Sequence, residues 1–382
     1  LILLGGIVRA ADWVEVCAPG RSDGGMIGQA AAGVGEQAVE ALTPFDGRLY
    51  ITLQAVPKGQ ARPIIAYDPK TMDLCEESPT AGRRFGRMRV LDGRLHVPVA
   101  EPTGDGGGYY VSAGGGKWEW VAVALAGTAF YDVARFDNKT FLTGRRKDEA
   151  IIAWRADGAP AWQVEALNVQ AARFSFKAST FLCVSNHLAL LAVRDVIGDW
   201  PPLVAPRDWG AWYVLSYTGG RSPRGFLFDG PARPLPALRL LAPATSLLQN
   251  PKVTLARDAS WRDGLLTVLL REPDFSPDPS GGLLFLGVNE GTPQTGGRTF
   301  AGRRIAGQEQ TRDIAVAEGR CALLLAEAGV SPQARIVVSS DLESWETIFE
   351  AELPATPLAL AILNGKYYIG LANGGIVMVT KP

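Results

Sequence analysis

Seven times along the chain an apolar strand runs into an Asp/Asn-Gly-type corner, a basic or polar residue and a second apolar strand. The copies are Phe45-Asp46-Gly47-Arg48, Leu91-Asp92-Gly93-Arg94, Phe136-Asp137-Asn138-Lys139, Val184-Ser185-Asn186-His187, Arg262-Asp263-Gly264-Leu265, Ala317-Glu318-Gly319-Arg320 and Leu363-Asn364-Gly365-Lys366. Taking Gly47, Gly93, Asn138, Asn186, Gly264, Gly319 and Gly365 as markers, the intervals are 46, 45, 48, 78, 55 and 46 residues. Gly and Asn tolerate the positive φ that a two-residue hairpin connection needs. A period of this length around a hairpin corner predicts a radial array of small antiparallel sheets, because one such sheet cannot bury both faces alone. The expected fold is all-β: a seven-bladed β-propeller spanning residues 11–382 as one domain.

The long fourth interval holds one further strand pair, Trp212–Tyr217 and Phe226–Phe228, and two insertions, 195–210 and 230–251. A Trp opens the outer strand of several units, at Trp118, Trp162 and Trp345. The same phrase stands at the N-terminus as Trp13-Val14-Glu15-Val16-Cys17, whereas the C-terminal end supplies inner strands only. The N-terminal strand is therefore expected to join the last blade and close the ring, which removes exposed sheet edges.

Charge and composition narrow the partners. The net charge is −1 among 382 residues, and no Lys/Arg run exceeds three, so no footprint for nucleic acid is expected. No segment offers about 18 uninterrupted apolar residues, so no membrane insertion is expected. Leu1 to Ala10 reads as the tail of an apolar signal-peptide segment ending in Val8-x-Ala10, with an ordinary first strand as the alternative; export to the periplasm or beyond is the expectation. Cys17, Cys75, Cys183 and Cys321 lack C-x-x-C spacing and suit buried thiols, with a Cys17–Cys75 bridge left open as the alternative. With only His96 and His187, a His-based metal site or a Ser-His-Asp triad lacks parts; each His reads as a strand residue with a satisfied ring, and no cofactor or metal is implied.

Ser339-Ser340-Asp341-Leu342-Glu343-Ser344-Trp345 resembles the Asp box of sialidase-like, BNR-repeat propellers, and Ser112 to Trp118 is similar to a degraded copy with Gly114 at the Asp position. The resemblance covers these turns alone. It implies a folding role, Asp341 accepting turn hydrogen bonds and Trp345 packing between sheets, and nothing catalytic. The early Arg-Ile-Pro phrase of sialidases is absent, and their arginine triad and Tyr/Glu pair have no counterparts that can be placed.

Eight residues beyond each marker, at the end of each second strand, stand Ala55, Glu101, Arg146, Arg194, Glu272, Glu327 and Asn373. Five of these seven are charged on otherwise apolar strands, which predicts a mixed Arg/Glu ring at one mouth of the array, joined by Arg145, Asp195 and Arg271. A salt-bridge collar is the alternative. The longest loops on that rim, 194–211 and 271–282, bring Trp200, Asp208 and Trp209 beside carboxylates, the pairing by which sugars stack on indole while acids bind hydroxyls. Trp200 and Trp209 folding the insertion onto its blade is equally open. Two function classes follow: a monomeric module binding a glycan or protein, or a glycoside-active enzyme using Glu101 and Glu272 across the mouth.

Overall fold

The computed structural model describes residues 13–17, 38–53, 63–78, 82–102, 106–136, 138–147, 149–170, 175–184, 187–193, 212–217, 224–228, 253–261, 264–271, 283–287, 309–327, 333–341 and 344–380. Their strands form seven antiparallel sheets, each built almost wholly from consecutive strands. The first holds Val39–Phe45, Arg48–Leu53, Ile64–Asp68 and Asp73–Ser78. In the second, Gly82–Phe85 and Arg89–Leu91 share the partner Arg94–Pro102, followed by Gly106–Ser112 and Trp118–Ala126. The third holds Thr128–Phe136, Lys139–Arg146, Glu149–Ala156 and Gln163–Gln170. The fourth runs from Ser175–Val184 to Arg224–Phe228 and includes the Trp212–Tyr217 strand. The fifth has Val253–Trp261, Gly264–Arg271 and Leu283–Gly287 among the described residues. The sixth holds Glu309–Ala317, Arg320–Glu327, Gln333–Ser339 and Glu346–Glu352. The seventh joins Pro357–Leu363, Lys366–Leu371 and Ile376–Val379 to the N-terminal strand Trp13–Cys17, which pairs antiparallel with Ile376–Val379.

The corner phrase makes the expected turn. Asp46 and Gly47 have φ of 49° and 73°, Asp92 and Gly93 51° and 70°, Glu318 and Gly319 51° and 70°, and Asn364 and Gly365 52° and 71°. Two successive positive φ values give a type I′ hairpin, whose twist matches that of its strands. One copy is out of phase. Trp261 pairs with Gly264, so Gly264 opens the second strand of the fifth sheet and does not stand within its corner.

Alternation along the second strands explains why the sheets stack. Leu49 and Ile51 pack toward the seventh sheet with Ala359, Ala361 and Tyr368, while Tyr50 between them packs toward the second with Leu95, Val97 and Val99. Successive side chains on a strand leave from opposite faces, so each central strand is buried on both. Comparable apolar clusters join the second sheet to the third around Phe130, and the sixth to the seventh around Ile336 and Ile369.

Residues seven before each corner share a second device. Val39 and Ala41 pair with Leu53 and Thr52, leaving Glu40 as an extra residue. Tyr131, Arg312 and Leu358 are left out in the same way, as is Ala256 in the fifth sheet. Such bulges turn the local backbone and re-aim side chains. In the second sheet the equivalent stretch, Gly86-Arg87-Met88, interrupts the strand; Gly86 N–H donates to Pro98 O at 2.8 Å and Arg87 N–H to Tyr131 O at 2.8 Å. A Cβ on Gly86 would collide with the Tyr131 backbone, which no rotamer change relieves. Gly86→Ala is expected to cost about 1–3 kcal/mol through overpacking, read as a fall in the urea midpoint; an unchanged midpoint would refute this account of the junction.

The turns resembling Asp boxes are held by side-chain oxygens. Asp341 Oδ1 accepts from Ser339 Oγ at 2.9 Å and from Ser344 N at 2.8 Å, and Trp345 beyond it is half-buried. Where Gly114 replaces the Asp, Ser112 Oγ still accepts from Gly114 N at 3.0 Å, and the carboxylate comes from the neighbouring sheet: Gly115 N–H donates to Asp46 Oδ2 at 2.8 Å. Trp118 packs edge-on between Tyr50 and Tyr110. Cys75 is a free thiol donating to Ala66 O at 3.5 Å, so the Cys17–Cys75 bridge is not formed. Cys321 is also free, and burial pushes its thiol up to about 12. His96 departs from its expected satisfied ring: it is buried against Tyr109 at 5.8 Å, yet its Nδ1 has no hydrogen-bond partner among the described residues.

Candidate functional site

At the ends of the first three sheets remote from their corners, polar side chains gather on an otherwise apolar frame. Glu101, next to last in its strand, stands in register with Arg84 across the second sheet. Arg84 Nη2 lies 3.8 Å from Glu40 Oε1 of the first sheet, with both side chains about a quarter exposed. Tyr131, the bulged residue of the third sheet, is buried at 8% exposure. Burial raises its phenol above the ordinary value, while the Arg145 and Arg84 guanidinium groups pull it down and Glu101 pushes it up. The fields of Arg84, Glu101 and Arg145 thus converge on one hydroxyl that stays protonated as a donor at neutral pH. Glu101 and Arg145 are exposed, and Arg145 makes no ion pair among the described residues.

Two of the three innermost strands reach this end through the bulge, which places Glu40 and Tyr131 out of the regular ladder. Below the bulge, Asp132 is fully buried; its Oδ1 accepts from its own Val133 N at 2.8 Å, and Arg89 grips both oxygens at 3.0 and 2.8 Å. Asp313 occupies the same register in the sixth sheet, accepting from Ile314 N at 2.8 Å and, across to the seventh sheet, from Leu360 N at 2.6 Å. A carboxylate satisfied by two or more donors in a dry setting locks the bent backbone in place. These buried acids hold the frame; the exposed groups above them are free to meet a ligand.

The residues expected from sequence fall out unevenly. Glu101 joins the cluster, and Arg146 ends its strand one residue beyond Arg145, half-buried and opposite Thr128. Glu327 and Arg271 end their strands in the register of Arg146, opposite Glu309 and Val253. The phase shift at the fifth corner therefore puts Arg271, and not Glu272, at the position equivalent to Glu101. Asn373 lies in a turn, its Oδ1 accepting from Gly375 N at 3.0 Å. Ala55, Arg194, Asp195, Trp200, Asp208, Trp209 and Glu272 lie outside the described residues. Sequence reasoning missed Glu40, Arg84 and Tyr131. Two of them were findable, since Glu40 and Tyr131 stand seven residues before their corner markers, as Arg312 does.

No model of a known protein family matches the chain, and no curated protein is matched. Solved structures do resemble it. A streptogramin B lyase superposes with a TM-score of 0.53 at 11% identity, over 91% of this chain and 95% of that one. YCF48 bound to D1 peptide gives 0.51 at 10% identity, over 98% and 97%. The β-propeller domain of the trilobed protease from Pyrococcus furiosus, described as having an open velcro topology, gives 0.49 at 8% identity, over 88% and 92%. At these identities the likeness concerns the path of the chain alone. With its stacked antiparallel sheets and β-propeller neighbours, the chain has an all-β fold of the β-propeller type.

Proposed function

We propose that the chain is an exported, monomeric, single-domain module of the sialidase-like superfamily that binds a protein segment or a glycan and performs no chemistry on it. In this reading the seven sheets are seven blades, and pairing of Trp13–Cys17 with the last strand fastens the ring. The carrying observation is the convergence of Arg84, Glu101 and Arg145 on the Tyr131 hydroxyl, with Glu40 beside Arg84, at one end of three adjacent sheets. Donors and acceptors of both signs on a rigid frame suit a ligand that offers both, as a peptide main chain with charged side chains does. A neighbour of this fold was solved with a peptide bound, which supports the protein arm. The glycoside-active alternative is less well supported, since Glu101 stands in register with Arg84 across the strands and its proposed partner Glu272 lies outside the described residues.

A displayed peptide library and a glycan array, probed with the wild type, test this reading. Binders are expected to weaken at least about tenfold, some 1.4 kcal/mol, in Glu101→Lys, with the melting temperature unchanged. A Trp200→Ala, Trp209→Ala double variant separates the arms, since stacking on indole matters for sugars. No binder from either library, or binders indifferent to Glu101→Lys, would refute the site.

A further inference from the structure

A second, independent site is carried by the opposite end of the molecule. A groove of about 540 Å³ opens between the sixth and seventh sheets at their corner end, lined by Glu318, Arg320, Glu346 and Ile348 from the sixth sheet and by Ile362 and Tyr367 from the seventh. Tyr367 is 9% exposed; burial raises its phenol above the ordinary value, Arg320 pulls it down, and Glu318 and Glu346 push it up. Among the described residues Glu318, Arg320 and Glu346 make no ion pair.

The junction between the second and third sheets shows what fills such a space. Register makes the two junctions comparable: Arg135 pairs with Thr140 as Ile362 pairs with Tyr367, and Glu119 pairs with Val111 as Glu346 pairs with Val338. Asp92 and Glu318 hold the same corner position, each with positive φ. In the earlier junction the Arg135 guanidinium occupies the gap. Its Nε donates to Asp92 Oδ2 at 3.0 Å, its Nη1 to Thr140 Oγ1 at 2.8 Å, and it grips Asp157 at 2.6 and 2.7 Å. Arg94 meanwhile holds Glu119 at 3.4 Å. In the later junction Ile362 replaces that arginine, so the corner acid loses its intramolecular cation and the gap is left open. Two carboxylates against one guanidinium leave the lining with an excess negative charge.

We propose that this groove binds a guanidinium or ammonium group presented by an arginine or lysine side chain of a partner protein. The charged head takes the place that Arg135 fills at the other junction, between Glu318 and Glu346, and the aliphatic stem lies along Ile362, Ile348 and the Tyr367 ring. Agmatine, its neutral isostere (4-hydroxybutyl)urea and the peptide acetyl-Gly-Arg-Gly-amide serve as probes for calorimetric titration of the full chain. Agmatine and the peptide are expected to bind with Kd of about 1 mM, the weak range for one small charged head, and the neutral isostere at least about tenfold more weakly. Ile362→Arg, which supplies the groove with its own guanidinium, is expected to abolish binding. Should that variant not fold, Glu318→Gln with Glu346→Gln, both exposed positions, is expected to weaken binding by at least about tenfold. Equal binding of the neutral isostere, no binding of agmatine, or binding indifferent to these substitutions would overturn the site. Binding of agmatine without the peptide would overturn its assignment to a protein side chain.

Discussion

Glu77→Ala is expected to destabilise the protein by about 3–5 kcal/mol, the range for breaking a buried ion pair by deleting one partner. Glu77 lies on the outer strand of the first sheet with only 3% of its side chain exposed. Its Oε1 accepts from Arg48 Nη1, while Oε2 accepts from Tyr50 OH at 2.9 Å and from Trp118 Nε1 of the second sheet at 3.2 Å. Removing the carboxylate strands an indole N–H and a phenol in the core between two sheets. Arg48 keeps Asp68, to which its Nε donates at 3.2 Å. For a chain of this size the melting temperature is expected to fall by about 4–6 °C. Glu77→Gln, which keeps acceptors but no charge, should lose less. A melting temperature within about 1 °C of wild type for Glu77→Ala would show that this carboxylate is dispensable, since even surface changes are commonly that small.

The second large effect is a pH dependence centred on His96. Burial, followed by the nearby Arg94 and Arg135 charges, lowers its imidazole from the ordinary 6.5 to about 4. In the unfolded chain the ring takes up a proton as pH falls below about 6.5, whereas the folded ring refuses it until about 4. The folded state therefore binds fewer protons across this window. Stability is full above pH 6.5 and declines as pH drops toward 4, by about 3 kcal/mol in total at 1.36 kcal/mol per unit. Asp68 and Asp157, both held below the ordinary 3.8, lose their contributions only at lower pH. Urea midpoints at pH 7 and pH 4.5 should differ clearly in the wild type and much less in His96→Phe, which keeps the stacking on Tyr109. Equal pH sensitivity of the two proteins would contradict the assignment.

Both effects arise where neighbouring sheets meet, and the same is true of the two proposed sites. The rim cluster draws Glu40 from the first sheet, Arg84 and Glu101 from the second, and Tyr131 and Arg145 from the third. The corner-end groove lies between the sixth and seventh. A strand pattern reports which residues share a face of one sheet, because side chains alternate along it. It does not report which residue of the next sheet stands opposite, since that depends on stagger and twist between sheets. Glu77 illustrates the gap: three donors separated from it by 27 to 41 positions converge there, and no local spacing announces it.

What the residues alone determined was local and periodic. Asp46-Gly47, Asp92-Gly93, Glu318-Gly319 and Asn364-Gly365 specify type I′ corners, because adjacent positive φ values are costly for most other residue pairs. The spacing of those corners sets the strands and their register, apart from the single slip at Gly264, where Asp-Gly looks like a corner but the glycine already pairs with Trp261. Only the tertiary structure decided that Asp46 substitutes for the carboxylate missing at Gly114, that Tyr131 sits among Arg84, Glu101 and Arg145, and that Ile362 leaves empty the space Arg135 fills elsewhere. Backbone preferences act within a few residues along the chain, whereas burial and charge pairing act between residues the fold brings together, so the first kind of information is written in order along the sequence and the second is not.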